Sequence, residues 1–120
     1  MSHIVEIKTQ VKDVAAVQAA FRRLKLAEPQ QRTVTLFSAE VTGLAVELPE
    51  WQFPVVCNTA TGELKYDNYG GRWGQQSHLD QFLQAYTVEK AKIEARRQGH
   101  SVSEQLLTDG SIRVQIAVAG

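Results

Sequence analysis

Apolar residues recur along this chain with two periods, near two and near 3.6, and the alternation between them predicts its elements. From His3 to Thr9, Val5 and Ile7 alternate with Glu6 and Lys8, the pattern of a half-buried strand. Asp13 is a good helix N-cap, and Val14, Val17, Phe21 and Leu24 after it form one apolar stripe. Arg22, Arg23 and Lys25 fall in the last turn, where cations complement the helix dipole, and Pro29 prevents continuation. Strands are expected from Arg32 to Phe37, Leu44 to Leu48, Phe53 to Cys57 and Glu63 to Tyr66. The last two should form a hairpin around Asn58 to Gly62, residue types that tolerate tight turns.

A glycine-rich segment, Asp67 to Gly74, precedes a second helix. Ser77 and Asp80 resemble a capping box, and Leu79, Phe82, Leu83, Tyr86 and Ile93 supply the apolar face. Arg96 and Arg97 close the helix, and Gly99 sits where a left-handed C-cap is expected. Val102 to Leu107 and Ser111 to Val118 then read as a hairpin turning at Asp109-Gly110, with Ile112, Val114, Ile116 and Val118 on its buried face. The order is strand, helix, four strands, helix, two strands. It predicts an α+β domain with a largely antiparallel sheet and both helices on one face. The topology expected is a split β-α-β, ferredoxin-like arrangement with an added hairpin.

The 120 residues suit a single domain spanning 1–120. Thirteen basic residues balance thirteen acidic ones, which argues against nucleic acid as a partner. No run of residues is apolar enough to span a bilayer, and charge comes too early for a signal peptide, so no membrane partner is expected. The single cysteine, Cys57, allows no intrachain disulfide and fits a reduced cytoplasmic or organelle-stroma setting, as a small buried side chain in an apolar run.

The residues carry no phosphate loop, dinucleotide fingerprint or nucleophile elbow, so no catalytic residue and no cofactor is assigned. His3, His78 and His100 lie far apart without helical i, i+4 partners, and no metal site is assigned. The aromatic distribution is more informative. Five of the nine aromatic side chains, Trp51, Phe53, Tyr66, Tyr69 and Trp73, fall between positions 51 and 73. Phe53 and Tyr66 alternate inward as core. Trp51, Tyr69 and Trp73, with Arg72, have the composition of a protein-docking hot spot, although a second small core under the loop would use the same residues. Tyr66, Asp67, Tyr69 and His78 are an alternative, a ligand pocket or small active site. A third reading is a homo-oligomer paired through exposed sheet edges or through the aromatic loop. If the helices run parallel, Arg22, Arg23, Lys25, Arg96 and Arg97 would gather at one end as an anion site.

The opening residues Met1 to Asp13 resemble the hypothetical chloroplast reading frame thirty-five proteins and their bacterial relatives. So do Leu83-Gln84-Ala85-Tyr86, Glu94-Ala95-Arg96-Arg97-Gln98-Gly99 and Asp109-Gly110-Ser111-Ile112-Arg113. Pro49 to Trp73 is closer to a bacterial branch than to the chloroplast pattern. The resemblance brings no activity, cofactor or catalytic residue. It implies an accessory or adaptor role beside ring-forming ATPases, and hence a protein partner.

Overall fold

The computed structural model describes residues 5–8, 11–36, 39–67 and 72–118. Its elements are β1 (Val5–Lys8), α1 (Val14–Arg23), β2 (Gln30–Thr35), β3 (Glu40–Val46), β4 (Val55–Asn58), β5 (Glu63–Tyr66), α2 (Gln76–Arg97), β6 (Ser101–Leu106) and β7 (Ile112–Ala117). Strands β1 to β5 form one antiparallel sheet in the order β1-β5-β4-β3-β2, and β6-β7 is a separate two-stranded ribbon. Short connections make β2 to β5 pair with their sequence neighbours, because closely linked strands reach only antiparallel partners. β1 adds at the far edge, with Ile7 opposite Leu64.

This order corrects the expected ferredoxin-like split. β1 and β2, joined through α1, lie at opposite edges with three strands between them, and the strands after α2 leave the sheet. Both helices do cover one face. Leu44, Val46, Val55, Cys57, Leu64 and Tyr66 share a core with Val17 and Ala20 of α1 and Leu79, Phe82 and Tyr86 of α2. Burying one such large side chain contributes about 1.5–3 kcal/mol. On the other face Val34, Leu36, Ala45 and Val56 form a smaller cluster, against which Val41 and Phe53 pack.

The ends of α1 show how local chemistry fixes the helix. The Asp13 carboxylate accepts from the Ala16 amide at 3.2 Å, and the Tyr86 hydroxyl accepts from the Lys12 and Asp13 amides. At the other end Leu26 N–H donates to the Phe21 carbonyl and Lys25 N–H to the Arg22 carbonyl. That Schellman closure places Lys25 at φ 58°, a conformation glycine normally supplies. α2 closes in the same way with its expected glycine: Gly99 has φ 78°, and His100 N–H donates to the Ala95 carbonyl at 2.9 Å. Its start departs from expectation. The helix begins at Gln76, and the Gln75 N-cap makes no side-chain capping bond. Ser77 therefore lies inside the first turn, and Asp80 accepts from the Gln76 side chain at 3.1 Å.

α2 is apolar on two opposite sides. Leu79, Phe82 and Tyr86 face the sheet core. Val88 and Ala95 are also buried, at 5% and 3% exposure, yet lie outside that core. At 3.6 residues per turn they fall opposite Leu79 and Tyr86, on the side where Gln84 donates to the Gly110 carbonyl and Lys92 meets Glu104 of β6. The ribbon covers that second side. Its turn has three residues rather than the expected two. Leu107 pairs with Ser111, Gly110 N–H donates to the Leu107 carbonyl, and Gly110 stands at φ 88°. A type I turn followed by a left-handed glycine has this geometry.

Replacing Lys25 by glycine should raise stability by about 1 kcal/mol, the cost of a left-handed non-glycine residue, measured by denaturant unfolding. Burial opposes ionisation of Asp13, but the Ala16 amide, the Lys90 ammonium and the Arg97 charge outweigh it and hold its carboxyl below the ordinary value of 3.8. A lowered folded-state value means the stabilisation is present above the unfolded-chain value and lost as pH falls through the folded one. Asp13→Ala should therefore cost about 1 kcal/mol at neutral pH, and the deficit should shrink below the ordinary carboxylate range in the same unfolding assay.

Candidate functional site

The sequence singles out the aromatic segment, and the structure turns much of it inward. Tyr66 is 5% exposed, and the Trp51 ring meets it edge-on at a centroid distance of 5.5 Å. The Trp51 indole N–H donates to the Gln75 carbonyl at 3.1 Å, tying the loop after β3 to the start of α2. Gly74 lies under the same ring, so close that a Cβ there would overlap the indole. Trp73 meets Phe53 edge-on at 5.5 Å, and its carbonyl accepts from the Gln52 amide at 2.8 Å. Trp51, Phe53 and Trp73 are half-buried and Arg72 is exposed; Tyr69 lies outside the described residues. The Phe53–Trp73 pair, worth about 0.5–1.5 kcal/mol beyond its burial, clasps loops 49–54 and 72–75 together, and the Trp51–Tyr66 pair ties loop 49–54 to β5.

The residues of the alternative pocket separate in character. Burial pushes the Tyr66 hydroxyl up, and the nearby Asp80 charge adds to that, while a hydrogen bond with Gln76 opposes both. Asp67, at 1% exposure, is the one buried charged side chain among the described residues. His78 is half-buried, and its Nδ1 is shielded from water with no hydrogen-bond partner among the described residues. Cys57 is fully buried, and burial pushes its thiol up to about 12, which removes the nucleophilic thiolate. Among the described residues no group of three or more His, Cys, Asp or Glu is placed to hold a metal ion. Nor is any helix there long and apolar enough to cross a membrane.

The cations do not gather into one anion site. Asp13 at the start of α1 bonds Lys90, and Arg23 at its end bonds Glu89, so both ends reach the same stretch of α2. α1 thus crosses α2 instead of running beside it. The Arg97 charge acts at the α1 N-terminus, a whole helix length from Arg23. Arg23 itself is held by Glu104 at 2.7 Å, and Lys92 reaches Glu104 at 3.2 Å. These pairings hold Glu104 below, and Arg23 above, their ordinary values. Their work is to clamp the ribbon onto the helices. Arg22, Lys25 and Arg96 are exposed elsewhere on the surface.

The ribbon presents what the sequence reading missed. Ile112, Val114, Ile116 and Val118 were expected to be buried, but Ile112 and Val114 are half-buried, and Ile116 and Val118 are 45% and 72% exposed. Leu106 is 75% exposed. By strand parity Val102, Leu106, Ile112, Val114 and Ile116 share the face turned to α2, with Val102 opposite Ile116 and Leu106 opposite Ile112. A single helix covers a diagonal of this twisted face and leaves two corners, Leu106 at the tip of β6 and Ile116 with Val118 at the base of β7. A groove of about 560 Å³ opens beside the second corner, lined by Ser101, Val102, Ser103, Gln115, Ile116 and Ala117. The signal that could have found it is a hairpin apolar on one face whose cover, α2, is a single helix narrower than the ribbon.

Gly74→Ala should displace the Trp51 indole. The expected cost is about 1–3 kcal/mol, as for other overpacking changes, with a red-shifted tryptophan emission in the folded protein. No family model, curated protein or solved structure matches this chain.

Proposed function

We propose that this chain is a non-enzymatic binding or accessory module that docks a protein partner on the β6-β7 ribbon. One observation carries the reading: Leu106, Ile116 and Val118 stand 75%, 45% and 72% exposed on a ribbon that no third strand among the described residues completes. Large apolar side chains grouped in water mark interaction surfaces, and a two-stranded sheet is marginal by itself. The docking role expected of Trp51, Tyr69, Arg72 and Trp73 passes to the ribbon, because both tryptophans are engaged in internal ring contacts. The resemblance to the reading frame thirty-five proteins makes a ring-forming ATPase assembly the first partner class to test. A ligand pocket beside Tyr66, Tyr69 and His78 is the second reading, favoured by the buried Asp67 carboxylate.

Leu106→Asp combined with Val118→Asp adds charge at exposed positions, so stability should stay within about 0.5 kcal/mol of the parent. Recovery of the specific partner from native extract should fall at least about tenfold, as for loss of an interface hot spot. Undiminished recovery with an intact fold rejects the ribbon as the docking surface. Trp73→Ala should instead lower the unfolding midpoint, because it removes the contact to Phe53.

A further inference from the structure

We infer that the free edge of β7 pairs antiparallel with β7 of a second copy, joining two ribbons into a four-stranded sheet. The inference rests on the reading of the ribbon as a binding surface and names its occupant. In an antiparallel ribbon, residues alternate between bonding the partner strand and pointing their backbone groups outward. The bond from Leu107 N–H to the Ser111 carbonyl fixes that phase. With Gln105 opposite Arg113 and Ser103 opposite Gln115, positions 113, 115 and 117 bond β6. Ile112, Val114 and Ile116 therefore direct their N–H and C=O groups to the open side. Among the described residues no strand pairs there. The edge carries no proline, and Arg113 is its one charge, so it lacks the usual devices that keep edges apart.

The strand is complementary to itself. About a twofold axis at Gln115, Val114 lies opposite Ile116 of the second copy and Ile112 opposite Val118. On the other face Arg113 meets Ala117 and Gln115 meets Gln115. No like charges oppose one another. The exposed corner at Ile116 and Val118 is then covered by apolar side chains, and both apolar faces lie on the same side as the two α2 helices. The β6 edge offers no equivalent match. Glu104 stands at its centre, and self-pairing sets that carboxylate opposite itself or opposite an apolar residue, while Arg23 and Lys92 already hold it inward. One strand edge is less than the roughly 800 Å² per partner of a standard interface, so the dimer is concentration-dependent rather than an obligate assembly.

Sedimentation of the full chain over micromolar to millimolar concentration should show mass rising from 13.4 kDa toward twice that value. Val114→Pro removes an outward N–H without touching a bond to β6, and should hold the mass at the monomer with an unchanged circular dichroism spectrum. Gln115→Cys tests the register. The two introduced thiols face each other across the axis at about 4.5 Å between Cα atoms, within disulfide reach, and Cys57 is buried and does not compete. Oxidation should give a covalent dimer at least about tenfold faster than in Arg113→Cys, whose two thiols stand too far apart to bridge. A monomer throughout, or equal cross-linking of the two variants, overturns the proposal. Leu106→Asp lies off this edge, so loss of partner capture in that variant reports on the wider binding surface separately from dimer formation.

Discussion

A helix with apolar side chains on opposite sides must be covered twice, and α2 imposes that requirement on the whole molecule. One side, through Leu79, Phe82 and Tyr86, packs on the five-stranded sheet. The other, through Val88 and Ala95, would meet water if the chain ended with the helix. The two C-terminal strands answer that need by folding back along α2. They cannot rejoin the main sheet from there, because the helix stands between. The second sheet is thus a direct result of where α2 carries its apolar residues.

The cover over α2 is thinner than the core beneath it. The ribbon is narrow and half-wet, and much of its attachment is electrostatic, with Glu104 held between Arg23 and Lys92 and Glu89 completing the group. Single pairs at such partly exposed positions contribute about 0.2–1 kcal/mol. Linked through shared partners, they position β6 more than they stabilise it. α1, α2 and β6 meet at this one group. The main sheet instead has its central strands buried on both faces, with Val46, Val55 and Cys57 fully enclosed. The molecule therefore has a dry half around the sheet and a wetter half around the ribbon.

Periodic segments were legible in the sequence because their local chemistry agrees with their surroundings. Asp13 caps α1, Gly99 closes α2, and the strands from 32 to 66 appear close to where alternation places them. Elements decided by distant partners were not legible. The start of α2 moved away from Ser77 because Trp51 holds the Gln75 carbonyl and Tyr66 engages Gln76. Lys25 accepts a left-handed conformation that no local rule assigns to lysine, with Leu26 N–H bonded back to the Phe21 carbonyl. Strand order escaped as well, since alternation says which face a strand buries but not its neighbour. At the site, composition pointed to the tryptophans. Their rings turned inward because Gly74 offers a surface without a Cβ for the Trp51 indole to lie on. The exposed corner of β7 at Ile116 and Val118 was hidden by a pattern indistinguishable from that of a buried strand.

The edge position of β1 governs how the chain can reach this state. β1 pairs only with β5, and Ile7 stands opposite Leu64, so that closure joins segments more than fifty residues apart. The hairpins β2-β3 and β4-β5 close over a few residues, where the entropy lost in bringing chain ends together is least. The β1–β5 pairing is accordingly the most costly closure of the main sheet in chain entropy. During synthesis β1 is made before β5, the strand it pairs with, so its place in the sheet exists only once residues 63–66 have emerged.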